Sequence, residues 1–164
     1  MLAIENKIRL ITSIGNNYDV QKNILEVFRD YATSTKSLVT DLEGADIDTQ
    51  CYSIFNYVLQ NVQYKEDEGN NQYIKTPART LSDGYADCKS MSILAASLLN
   101  SLGVPCYFRF VSFNDKPLYT HVYVVVKLKN GEEIIIDPVD RLNGKPCYNY
   151  AQPYTFKRDL LASC

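Results

Sequence analysis

The chain has 164 residues, 46% of them hydrophobic and 22% charged, with a formal net charge of −2. That length can bury the core of one domain without disulfide staples. Charges of both signs are scattered along it, which excludes the basic footprint of a nucleic-acid binder and an acidic interaction tail.

Met1 to Ile14 is apolar but interrupted by Glu5, Lys7 and Arg9, so neither a signal-peptide core nor a membrane span can be drawn there. The expectation is a cytoplasmic protein, in a bacterial or a host cell, with no membrane partner. A short helix is expected around Ile4 to Ile11. Behind Asp19, a common N-cap type, Val20, Ile24, Leu25, Val27, Phe28, Tyr31 and Ala32 recur at helical spacing. A second stripe, Ile47, Cys51, Ile54, Phe55, Val58, Leu59 and Val62, predicts a core-facing helix from about Asp46. Tyr64 to Asp87 turns polar and reads as a long loop, a kind of segment that frequently carries function. A third helix is predicted from Cys88 to Leu102, capped by Asp87 and stopped by Gly103 and Pro105.

Beyond Pro105 the period changes to two. Cys106 to Phe113, Thr120 to Lys129 and Glu132 to Asp137 read as strands, the last two joined at Asn130-Gly131. Helices first and an antiparallel sheet afterwards make the class α+β, with a cysteine-headed helix packed on a small sheet. No repeat or linker divides the chain. It reads as a single domain, with a helical N-terminal extension (1–45), a core (46–141) and a C-terminal tail (142–164).

The hairpin constrains the chemistry. Val122, Val124, Val126 and Leu128 alternate with His121, Tyr123, Val125 and Lys127, so the even positions face the core. A two-residue loop would put Glu133 and Asp137 on the valine face and bury carboxylates without cause. A three-residue loop, with Gly131 left-handed as a bulge, pairs Leu128 with Glu132 and Tyr123 with Asp137 instead. His121 and Asp137 then become diagonal neighbours on the more polar face.

The chain has one histidine, so any imidazole chemistry uses His121. Its five cysteines, Cys51, Cys88, Cys106, Cys147 and Cys164, are an odd set without CxxC spacing, which argues against a disulfide framework and a zinc knuckle. Cys88 differs from the others in its position at a helix start, where unpaired N–H groups and the positive end of the helix dipole favour a thiolate. His121 can take its proton, Asp137 can orient the imidazole, and the Cys88 N–H can donate to an oxyanion. Each residue also has a plain structural reading: an inert core thiol, an exposed or structural histidine, and a turn carboxylate before Pro138.

At these residues the sequence resembles the transglutaminase-like superfamily, within the papain-like cysteine-enzyme group. The stretches that carry the resemblance are "DGYADCKSMSILAASLLNSLGVPCYFRFV", "THVYVVV" and "EIIIDPV", preceded by "IFNYVLQNVQYKED"; together they span about Asp46 to Asp140. The resemblance implies Cys88 as nucleophile, His121 as general base and acid, and Asp137 as the orienting residue, with no cofactor and no metal. Gln72 is the choice for a second oxyanion donor, with Tyr64 and Tyr73 behind it. Ala86 stands where the family usually has glycine. The run "QYIKTPARTLSDGYADCKS" further resembles small transglutaminase-like proteins of phages and Bacteroides-type genomes, which implies a virus-associated role.

The expected activity is acyl transfer from a peptide or protein substrate. Hydrolysis is favoured over cross-linking, because the chain shows no extra domain for a second substrate. A non-catalytic binding or virion-associated module on the same scaffold, an arylamine acetyltransferase-like activity and a Cys/His/Asp metal site are the competing readings.

Overall fold

The computed structural model describes residues 8–11, 17–42, 44–69, 71–116, 118–139, 146–149 and 153–163. The first element is a strand, β1 (Ile8–Ile11), followed by α1 (Asn17–Tyr31) and α2 (Ile47–Asn61). Asp46 caps α2 by accepting the Thr49 N–H at 2.8 Å, and the predicted stripe buries Cys51, Ile54, Phe55 and Val58. On α1, Asp19 lies in the first turn rather than at the cap. Among the described residues no helix is long and apolar enough to cross a membrane.

Two expectations for the first half need correction. Residues 8–11, expected to be helical, form β1 and pair antiparallel with β3 (Gln72–Lys75); residues 4–7 lie outside the described residues. Four apolar-rich residues suit either state, and a strand partner about sixty residues away decides between them. The segment read as a loop contains β2 (Gln63–Tyr64), β3, α3 (Pro77–Asp83) and β4 (Tyr85–Ala86). Local signals for α3 are present: Thr76 accepts the Arg79 N–H, Pro77 opens the helix, and Gly84 closes it at φ 70°. β2 and β4 pair in parallel, with Tyr64 opposite Ala86.

The central element is α4 (Cys88–Ser101), buried from Lys89 through Leu99. It packs against α1, α2 and α3 on one side and against β5 (Cys106–Ser112) and β6 (His121–Lys127) on the other. With β7 (Glu133–Asp137), β8 (Cys147–Tyr148) and β9 (Phe156–Ala162) these strands form a five-stranded antiparallel sheet in the order β8-β7-β6-β5-β9. The region expected to be a tail therefore supplies both edge strands. Lys157, Arg158 and Asp159 interrupt the apolar pattern of β9, and its pairing with β5 overrides that local pattern.

The hairpin has the three-residue loop. β6 and β7 pair from Val124–Ile136 to Lys127–Glu133, and the Leu128 N–H donates to the Glu132 carbonyl at 2.8 Å. The Gly131 N–H donates to the Leu128 carbonyl at 3.0 Å, with Gly131 at φ 88°. Val122, Val124, Val126, Ile134 and Ile136 join the main core. The opposite face is covered too: Val111, Tyr123, Val125 and Ile135 form a second small cluster with Phe113 and Tyr154 packed against it. A Cβ added at Gly131 would meet open space, so the cost of Gly131→Ala lies in the backbone. A loss of about 1 kcal/mol in urea unfolding is expected; an unchanged midpoint would mean that another turn serves as well.

Candidate active site

Cys88 opens α4 because Asp87 stops the preceding extended segment and caps the helix. The Asp87 carboxylate accepts the backbone N–H groups of Lys89 at 3.1 Å and Ser90 at 3.3 Å. A carboxylate beside a thiol disfavours the thiolate, but here the Lys89 ammonium pairs with Asp87 and, at 3.2 Å, with Asp67. The N-cap charge is thereby offset next to Cys88. Ala86, two residues before the cysteine, lies in β4; among the described non-glycine residues only Asn149 has a positive φ. The absence of glycine at this position thus causes no backbone strain.

His121 begins β6 and Asp137 ends β7, both nearly fully buried. The imidazole Nε2 lies 2.9 and 3.1 Å from the two Asp137 oxygens, and Asp137 Oδ1 also accepts the Val139 N–H at 3.1 Å. An ionised carboxylate only accepts, so Nε2 carries the proton and Nδ1 presents a lone pair. Nδ1 is buried and has no hydrogen-bond partner among the described residues. Phe113 stacks on the imidazole at 6.4 Å and Tyr123 flanks it at 5.7 Å, which limits the rotation of the ring.

Cys88 and His121 line one cavity of about 500 Å³, together with Gln72 and Tyr64. Asp137 stands behind His121. Tyr73 is not in this wall, and its hydroxyl accepts from the Asn71 amide at 3.3 Å. The cavity also includes Gln21 of α1, which the sequence reading missed. Its signal was a polar residue on the buried face of an amphipathic helix, three before Ile24 and seven before Phe28.

The other described thiols occupy a different environment. Cys51 and Cys106 are buried without disulfides, whereas Cys88 is partly exposed. Desolvation pushes both buried thiols up to about 12, with smaller contributions from Asp48 at Cys51 and from Cys51 at Cys106. The Cys147 side chain and Cys164 lie outside the described residues. Among the described residues no group of three His, Cys, Asp or Glu side chains is arranged to hold a metal ion.

A cysteine-headed helix packed on an antiparallel sheet, with histidine and aspartate on adjacent strands, defines an α+β protein of the papain-like type. The model of the transglutaminase-like superfamily core matches residues 33–138, and the chain belongs to that superfamily. The match begins inside the stretch expected to be an N-terminal extension. No curated protein matches the chain. Among solved structures, a candidate cysteine protease from Cytophaga hutchinsonii is similar at 17% identity and a TM-score of 0.54, over 94% of this chain and 62% of that one. A candidate protease from Parabacteroides distasonis is similar at 14% and 0.53, over 72% and 25%. Calcium-bound Legionella pneumophila LapG is similar at 19% and 0.54, over 86% and 84%. The chain thus spans less than two thirds of the first two proteins, and at these identities the likeness concerns the fold.

Proposed function

We propose that the protein is a thiol-dependent acyl-transfer enzyme, a cysteine peptidase or amidase acting on a peptide or protein. The observation that carries this reading is the Nε2–H bond from His121 to Asp137, which leaves the Nδ1 lone pair bare in a wall shared with Cys88. In the proposed reaction Nδ1 takes the thiol proton as Sγ bonds to the substrate carbonyl carbon. The Cys88 N–H, with Gln72 as second donor, holds the oxyanion. Collapse breaks the C–N bond, and the imidazolium returns the proton to the leaving amine. Water, deprotonated by the same nitrogen, then attacks the thioester and releases the acid and the thiol. An amine in place of water gives cross-linking. Water is favoured, because a cavity of about 500 Å³ suits one substrate segment and water needs no second site.

The test compares wild type with Cys88→Ala, using iodoacetamide with peptide mapping and a peptide library. At pH 7 a thiol titrating near 12 is about one part in 10⁵ thiolate, so Cys88 should alkylate at least about 100-fold faster than Cys51 or Cys106. Cleavage should vanish in Cys88→Ala. Preferential labelling of Cys51 or Cys106, or cleavage that survives the substitution, would falsify the assignment.

A further inference from the structure

Gln21 occupies a position where a polar side chain is costly. It shares the buried face of α1 with Ile24 and Phe28 and is itself 4% exposed. Its Oε1 is buried with no hydrogen-bond donor among the described residues, and the residue lines the cavity that holds Cys88 and His121. An amide oxygen buried without a donor is destabilising, so methionine would cover the same helix face more stably. An unsatisfied polar group in the wall of a cavity calls for an explanation, and a ligand that supplies the missing partner is a direct one.

The surrounding wall indicates the chemistry of that ligand. Beside Val20, Phe110 and Val122 the cavity wall carries Gln72 and the charged Glu66, Asp67 and Lys89, so it is mixed and suits a polar main chain. A residue in an extended peptide presents its N–H and C=O to the same side. A carboxamide offers an acceptor and a donor side by side, and its terminal torsion is soft enough to exchange them.

We propose that Gln21 is a substrate-positioning residue, hydrogen-bonding the main chain of one residue in an extended peptide segment that lies along α1 and brings its carbonyl to Cys88. This inference rests on the acyl-transfer reading of Cys88. It places the acyl portion of the substrate beside α1, on the side of the cavity that Val20 and Gln21 line.

Two alkylating reagents separate positioning from thiol reactivity. Iodoacetamide needs no main-chain contact, whereas an N-acyl dileucyl fluoromethyl ketone delivers its electrophile through a peptide. In Gln21→Met the rate of Cys88 modification by the peptidyl reagent should fall tenfold or more, about the effect of losing one or two hydrogen bonds. The iodoacetamide rate should stay within about twofold. The thermal midpoint should hold or rise, because the unsatisfied oxygen is gone. Reagents N-methylated at one amide at a time should show the same loss in the wild type at one position, and that methylation should make no further difference in Gln21→Met. An equal fall with both reagents, a lowered midpoint without selective loss, or indifference of the wild type to every N-methylation overturns the proposal. A wild-type Cys88 inert to both reagents overturns the acyl-transfer reading itself, and this inference with it.

Discussion

Exchanging Asp137 for asparagine is expected to leave the fold in place and to lower acylation of Cys88 by about three orders of magnitude. Asp137 receives the Nε2–H of His121 at 2.9 Å while its other oxygen holds the Val139 N–H at 3.1 Å. In the Asp137→Asn variant the carboxamide oxygen keeps the Val139 bond, so the NH₂ group faces Nε2. Nε2 must then accept, the proton moves to Nδ1, and Nδ1 loses the lone pair that would take the thiol proton. The imidazolium formed during the reaction also loses its neighbouring carboxylate. The measurements are the rate of peptidyl fluoromethyl ketone labelling at pH 7 and the thermal midpoint of the same samples. If labelling drops less than tenfold in a folded Asp137→Asn protein, Asp137 is a turn residue and the proposed division of roles fails.

The juxtaposition of His121 and Asp137 was legible because it follows from aliphatic parity. Valines at 122, 124 and 126 and isoleucines at 134 and 136 bury together in one register, which demands the left-handed Gly131 and brings His121 diagonally to Asp137. The helix carrying Cys88 was legible from its ends, Asp87 and Gly103. What stayed hidden depends on distant partners. β1 is a strand because β3 pairs with it, and β9 is a strand because β5 does, although its middle is charged. Gln72, chosen as a second oxyanion donor, lies in the cavity wall, while Tyr73, one residue on, does not and its hydroxyl accepts from Asn71. Gln21 could not be connected with the site from sequence, because nothing local indicates that α1 closes a cavity over Cys88.

Arg109→Met should produce the largest loss of stability, about 3 kcal/mol, because it leaves two partly buried carboxylates without their main partner. Arg109 is 1% exposed. Its guanidinium makes two bidentate pairs, to Glu133 of β7 and to Asp159 of β9, all four bonds at 2.8 Å. It thus ties β9 and β7 to β5 across β6, with Lys127 adding a further contact to Asp159 at 2.9 Å. Without the guanidinium only Lys127 pairs with Asp159, and Glu133 loses its bidentate partner. At roughly 2–4 °C per kcal/mol for a chain of this size, the thermal midpoint should fall by about 10 °C. The same cluster sets an acid dependence. Burial pushes the Asp159 carboxyl up, but hydrogen bonds and charge from Arg109 and Lys127 outweigh it and hold it at about 2. Glu133 is lowered, chiefly by its bond to Arg109. Carboxyls that titrate lower when folded contribute stability that is complete above their unfolded values, near 4, and lost as the pH falls toward 2. For Asp159, partly screened by solvent, that contribution is of order 1–2 kcal/mol. The free-energy gap between wild type and Arg109→Met in urea unfolding should therefore be widest at pH 5–7 and narrow steadily toward pH 2. A gap that stays constant across that range would assign the cost to lost packing around the arginine stem rather than to its charge.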